Sequence, residues 1–175
     1  LRKNIGYVSQ EPYLFSATIK ENIIFGNSDA TKDAINDVVE KSGLSADLNR
    51  FPEGLDTVVG ERGVSLSGGQ IQRIAIARAL ITSPNILILD DAFSSLDAET
   101  EDNILSDIRE FTLGVTTVMV SHRLSAVCKA DRIIVIGDGR IVEDGTHDEL
   151  IRLDGKYAQT YKNQVLAMEM DITLQ

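Results

Sequence analysis

Two adjacent carboxylates, Asp90 and Asp91, close the apolar run Ile86-Leu87-Ile88-Leu89. A strand that ends this way places two carboxylates just past its carboxyl end, where open α/β sheets place their ligands. An ordinary polar strand terminus is the competing reading. Upstream, Leu66-Ser67-Gly68-Gly69-Gln70 leads straight into an apolar helical pattern from Ile71 to Ile81. Ser67 and Gln70 have the S-x-x-Q spacing of a capping box. Two glycines at a helix start also let a phosphate approach bare backbone N–H groups at the favourable end of the helix dipole. A cap does not require Gly68 and Gly69, whereas a phosphate site does. Asp97 precedes a second helical pattern and reads well as its N-cap. His122 stands alone after the run Thr116 to Ser121, and Gln10 follows the run Ile5 to Ser9.

The elements that position these residues follow from periodicity. Strands are predicted near Ile5–Ser9, Ile86–Asp90, Thr116–Ser121, Arg132–Ile136 and Arg140–Glu143. Four consecutive apolar residues, Ile86 to Leu89, mark a strand covered on both faces of a parallel sheet. Helical patterns at Gly69–Thr82 and Ala98–Phe111 suit right-handed crossovers between strands. Asp138-Gly139 is a hairpin signal. From Glu11 to Leu66 the pattern changes: Ala17–Phe25, Thr31–Lys41 and Ser45–Arg50 favour helix, giving a helical insert between sheet strands. Thr146-His147-Asp148-Glu149 reads as a capping box, and Lys156–Met168 as a closing amphipathic helix. The result is an α/β layered sheet with an inserted α-helical subdomain.

Composition narrows the function classes. Among 175 residues, 17 Lys plus Arg face 27 Asp plus Glu, a net charge of −10. That balance speaks against a broad basic face for nucleic acid. A lone Cys128 cannot form an internal disulfide and is expected to be an inert buried thiol. No apolar run approaches the roughly 18 to 20 residues of a membrane span. The start at Leu1, running directly towards a strand, suggests a fragment.

Taken together, these motifs closely resemble the ATP-binding cassette family. Leu66 to Gln70 matches its LSGGQ signature and Ile86 to Asp90 its Walker B strand. Gln10 matches the Q-loop, Ser94-Ser95-Leu96-Asp97 the D-loop, and His122 the switch histidine, all in family order. Thr57 to Gly63 resembles the X-loop of exporters, Pro12 to Ser16 with Glu21-Asn22-Ile23 their segment after the Q-loop, and Gly145 to Leu150 their tail. A bacterial multidrug or lipid exporter half that pairs with a non-identical partner is the nearest match. The resemblance implies a P-loop NTPase-like fold, an incomplete cassette over residues 1–175: residues 11–66 form the helical insert with the X-loop, and 67–175 the signature helix, Walker B to switch-histidine core and closing helices.

Roles follow by the same resemblance. Asp90 would hold Mg²⁺ through its water shell, and Gln10 would contact Mg²⁺ or the attacking water. Asp91 would be the carboxylate that positions or deprotonates that water, and His122 would bond the γ-phosphate of ATP. Ser67, Gly68, Gly69 and Gln70 would clamp ATP held by a second cassette, and Asp97 would act across the same interface. Glu61 would meet the coupling segments of a membrane domain fused upstream. The location implied is the cytoplasmic face of the inner membrane.

Two departures limit the carry-over. No G-x-x-x-x-G-K-[ST] occurs; in the family that loop precedes the Q-loop by roughly 50 residues. The isolated chain is therefore expected neither to bind ATP tightly nor to hydrolyse it. Where the family has glutamate after the Walker B aspartate, this chain has Asp91, which withdraws the carboxylate by one C–C bond, about 1.5 Å. That points to a weakened site on this chain and an intact signature serving the partner's site. A regulatory module that holds ATP with little turnover is the second reading. A soluble repair or translation protein is a third, disfavoured by the absence of sustained heptads between Gln10 and Ser67.

Overall fold

The computed structural model describes residues 4–60 and 63–173. The chain divides into two compact units, the first ending at Val120 and the second beginning at Ser121.

In the first unit, strands β1 (Ile5–Val8), β2 (Ile86–Asp90) and β3 (Thr116–Val120) form a parallel sheet in that order. The register sets Ile5 against Ile86 and Ile88 against Val118. Between β1 and β2 run helices α1 (Ile19–Ile24), α2 (Lys32–Lys41) and α3 (Ser45–Leu48), a short 3-10 turn at Gly54–Asp56, and the long helix α4 (Gly68–Leu80). Helix α5 (Ala98–Phe111) makes the crossover from β2 to β3.

Helix α4 is the spine of this unit. Ile74, Ile76, Ala77 and Leu80 are fully buried, and α1, α2 and β1 all pack against it. Each such Ile or Leu contributes about 1.5–3 kcal/mol by leaving water. The approach of β1 requires glycine, because a Cβ at Gly6 would lie 3.0 Å from both the Ala79 carbonyl oxygen and Pro84 Cγ. Helix α1 opens with a capping box, Thr18 with Glu21, which the S/T-x-x-E spacing could have disclosed.

Strand β2 corrects one expectation. Leu87 and Leu89 are fully buried, but Ile86 and Ile88 are only half-buried, so the described elements cover one face well and the other in part. Side chains alternate faces along a strand, and α4 lies on the Leu87–Leu89 side. On β3, Val118 and Val120 are exposed.

The second unit holds helix α6 (Leu124–Val127), an antiparallel hairpin of β4 (Ile133–Gly137) and β5 (Arg140–Gly145), and helices α7 (His147–Leu153) and α8 (Lys156–Thr173). The hairpin turns at Asp138 and Gly139 with φ of 50° and 72°, the positive pair a type I′ turn demands. Thr146 and Glu149 form the anticipated capping box on α7. The α8 N-terminus is capped by buried Glu143, whose carboxylate accepts the Lys156 and Tyr157 N–H groups. Ile133, Leu150 and Tyr157 form the core, with Leu124, Val127, Val135 and Ile151 packed on it. Helix α8 runs five residues beyond the predicted Met168, and α6 was not anticipated. Cys128 is half-buried, not buried as expected, because it caps the exposed end of the short α6.

Candidate functional site

The carboxyl ends of β1 and β2 bring three of the sequence-selected residues together. Asp90, the last residue of β2, accepts a hydrogen bond from the Tyr7 hydroxyl on the neighbouring strand at 3.2 Å. That bond to the carboxylate pushes the exposed Tyr7 phenol above its ordinary pKa. Asp91 is buried and its backbone lies in the left-handed region, φ 48°, which Asp tolerates better than most residues. Its N–H donates to the Val120 carbonyl at 2.8 Å, which fixes the turn out of β2 against the end of β3. Its carboxylate accepts a long hydrogen bond from Gln10 Nε2 at 3.4 Å. Gln10 and Asp91, 81 positions apart, thus face one another beside Asp90. Two carboxylates and an amide thus meet at a strand terminus, where open α/β sheets place their ligands.

Among the described residues no group of three or more His, Cys, Asp or Glu side chains is placed to hold a metal. Magnesium does not ask for such a cage, since it is commonly held through one or two carboxylates and keeps several waters. Asp90, with Gln10 nearby, fits that donor set.

The second cluster is the amino end of α4. Ser67 Oγ accepts the Gln70 N–H while Gln70 Oε1 accepts the Ser67 N–H at 3.0 Å, so the capping box is real. The Gln70 amide also donates to Asp47 of α3 at 3.1 Å. Asp47 is buried and takes a salt bridge from Arg73 at 2.7 Å as well. The helical insert therefore grips the first turn of α4 through one carboxylate.

On its other side that turn meets the loop Ser94 to Asp97. A Cβ on Gly68 would lie 3.0 Å from Ser95 Oγ, and one on Gly69 would lie 3.2 Å from the Ser95 carbonyl oxygen. The glycine pair thus has a reason inside this chain, close packing on the loop, besides the open backbone a phosphate needs. Buried Gln72 joins the same two elements by hydrogen bonds with Ser94 and Ser95. Asp97 ends the loop and caps α5, accepting the Thr100 N–H at 2.9 Å and its hydroxyl at 2.7 Å. The Thr100 backbone bond, more than its hydroxyl or Arg73, holds the Asp97 carboxyl below the usual range.

An aromatic face forms the third feature of this unit. Tyr13, Phe15 and Phe25 are exposed, with Phe15 stacked on Phe25 at 4.4 Å and edge-on to Tyr13 at 5.5 Å. Arg78 lies over the Phe15 ring and donates to the Tyr13 and Asn22 carbonyls at 2.8 Å each, while fully buried Asn22 holds the Phe15 backbone. Burial lowers the Arg78 pKa.

His122 belongs to the second unit, where its carbonyl accepts from Gln164 Nε2 at 2.6 Å and Gln164 Oε1 receives the Leu124 N–H at 2.9 Å. Helix α8 so fixes the backbone between His122 and α6. Glu61 lies outside the described residues.

A model described as ABC transporter matches residues 1–94. The chain belongs to the ABC transporter family. Over 166 residues it is 51% identical to the "Probable multidrug resistance ABC transporter ATP-binding/permease protein YheI" of Bacillus subtilis, covering 95% of this chain and 28% of that protein. It is 48% identical over 169 residues to ABC transporter B family member 16 of Arabidopsis thaliana, covering 97% of this chain and 14% of the relative. Its fold matches that of a bacterial Atm1-family ABC exporter with ATP bound, with TM-score 0.89 and 41% identity over 94% of this chain and 29% of the other. The chain therefore spans well under a third of the length of these relatives and has the ABC cassette fold of an exporter's ATP-binding domain.

Sequence reasoning missed Tyr7, Asp47 and Gln72. Nothing local marks them: each acts on a residue of another element, and only docking of the elements makes the contact.

Proposed function

We propose that this chain forms part of an ATP-hydrolysing cassette that powers export across a membrane, working opposite a second, non-identical cassette with shared ATP sites. The observation that carries the reading is the meeting of Gln10 and Asp91 beside Asp90. Asp90 and Gln10 would hold Mg²⁺, which when bound neutralises charge on the ATP phosphates. Gln10 orients the attacking water and Asp91 accepts its proton as oxygen attacks the γ-phosphorus and ADP departs. By the family resemblance, His122 would donate a hydrogen bond to the γ-phosphate.

Across the dimer, the amino end of α4 offers Ser67, Gly68, Gly69 and Gln70 to the partner's ATP. Asp97 stands at the end of the adjoining loop, ready for the same interface. The aromatic face of Tyr13, Phe15 and Phe25, together with Glu61, receives the membrane domain. Exposed stacked aromatics held in place by Asn22 and Arg78 are suited to protein contact. A relative named as an ATP-binding/permease protein, of which this chain spans 28%, supports an attached membrane domain. The cassette then works at the cytoplasmic face of the membrane.

Asp91 favours a second reading for this chain's own site. Its short carboxylate reaches Gln10 only at 3.4 Å, so that site turns over slowly or holds ATP as a regulatory half, while Ser67 to Gln70 complete a faster site on the partner. The test is steady-state ATPase of the purified full-length assembly. Ser67→Arg, which blocks the partner's site, is expected to remove nearly all activity; retention of more than half would refute the shared-site assignment.

A further inference from the structure

Resting on that reading of shared sites, we propose that Gln72 is a positioning residue that locks the loop Ser94 to Asp97 onto the amino end of α4, so that the signature turn and the loop meet the partner's nucleotide as one piece. Gln72 is 2% exposed, in the second turn of α4. A buried amide there costs free energy unless its polar atoms find partners. Both do, and both partners lie in the same loop: Nε2 donates to Ser94 Oγ at 3.0 Å, and Oε1 accepts the Ser95 N–H at 3.0 Å.

The loop's own bonds carry this link to the backbone of Asp91. The Ser94 N–H donates to the Asp91 carbonyl at 3.2 Å, and the Leu96 N–H donates to the Phe93 carbonyl at 3.0 Å. Gly68 and Gly69 press on Ser95 from the same side of α4. Apolar contact alone lets two elements slide, whereas a bidentate amide fixes register and distance. Gln72 touches neither nucleotide nor water in this scheme, and acts only through Ser94 and Ser95.

The experiment uses the full-length transporter with its partner, measuring kcat and KM for ATP, the stoichiometry of bound nucleotide, and thermal unfolding. Gln72→Leu removes both hydrogen bonds at similar size. It is expected to lower kcat about 10-fold or more, as sub-ångström to 1 Å misplacement of reacting groups does, with KM for ATP and bound nucleotide little changed. Gln72→Glu keeps the acceptor for the Ser95 N–H and can accept from the Ser94 hydroxyl, and is expected to restore most of the rate.

Ser94→Ala deletes one of the two bonds and is expected to lower kcat in the unsubstituted protein but not further in Gln72→Leu. This variant decides the matter if Gln72→Leu fails to fold. Unchanged kcat in Gln72→Leu or Ser94→Ala overturns the proposal. So does a loss of bound nucleotide in step with kcat that Gln72→Glu does not rescue, since that pattern marks a purely structural role. Failure of the shared-site reading itself shows differently: the unsubstituted transporter hydrolyses no ATP, or Ser67→Arg leaves it active.

Discussion

On the proposed reading of shared sites, replacing Asp91 by glutamate separates the two ATP sites. The added methylene extends the carboxylate by about 1.5 Å, towards the position the family's glutamate occupies. A shift near 1 Å at reacting groups changes rate by about 100-fold. If this chain's own site runs at about one hundredth of the partner's, restoring it fully can only double the total rate. The backbone opposes the change, because Asp91 sits at φ 48° and a longer side chain there costs roughly 1 kcal/mol. The informative background is Ser67→Arg, in which the partner's site is blocked and the residual activity belongs to this chain's site. There Asp91→Glu is expected to raise the residual ATPase about 10- to 100-fold, while in the unsubstituted protein the gain stays within about twofold. Phosphate release from the purified assembly, in both backgrounds, reads the result. A severe loss from Asp91→Glu, comparable to that from Ser67→Arg, would refute the reasoning, as would an unaltered residual rate.

Removing Asp47 by Asp47→Ala strips Arg73 and Gln70 of their shared acceptor; since Asp97 still acts on Arg73, the cost falls at the low end for a broken buried pair, about 3 kcal/mol. Denaturant unfolding of the cassette measures it, and a loss below about 1 kcal/mol contradicts the account. Burial, with Cys128 and Tyr161 nearby, pushes the Tyr157 phenol up to about 12 from its ordinary 10. The folded form thus favours the protonated phenol, so its stabilisation is complete below pH 10 and is lost as pH rises towards 12, on the order of 2 to 3 kcal/mol. Alkaline unfolding followed by phenolate absorbance should show this, and Tyr157→Phe should abolish it. The 175-residue chain expressed alone presents exposed Val118, Val120, Ile136 and Ile141 on its sheets and is expected to self-associate. A monodisperse monomer in light scattering would contradict that.

Much of the local structure was legible because it is written in short-range chemistry. Ser67 with Gln70, Thr146 with Glu149, and Asp97 before Thr100 are caps whose donors and acceptors lie three residues apart. Asp138-Gly139 marks its turn by the backbone angles those residues accept. The meeting of Gln10 with Asp91 came from the family's motif order, not from spacing. What stayed hidden was cross-element chemistry: Tyr7 on Asp90, Asp47 between Gln70 and Arg73, and Gln72 on the loop. A glutamine in an apolar helix reads as a surface position until its neighbour is known. The run Ile86 to Leu89 misled for the converse reason, since apolar composition does not say which faces the described elements cover.

The two glycines of the signature, identical on the page, differ in their genetics. The atoms that exclude a methyl group at Gly68 are the side chain of Ser95, its Oγ and Cβ at 3.0 and 3.2 Å. At Gly69 the obstruction includes the Ser95 backbone carbonyl. The packing defect of an alanine at position 68 therefore has an intragenic suppressor in Ser95→Gly, which clears the space; that of an alanine at 69 has none at that residue. Revertants selected for folding would separate neighbouring lesions that a sequence motif scores alike.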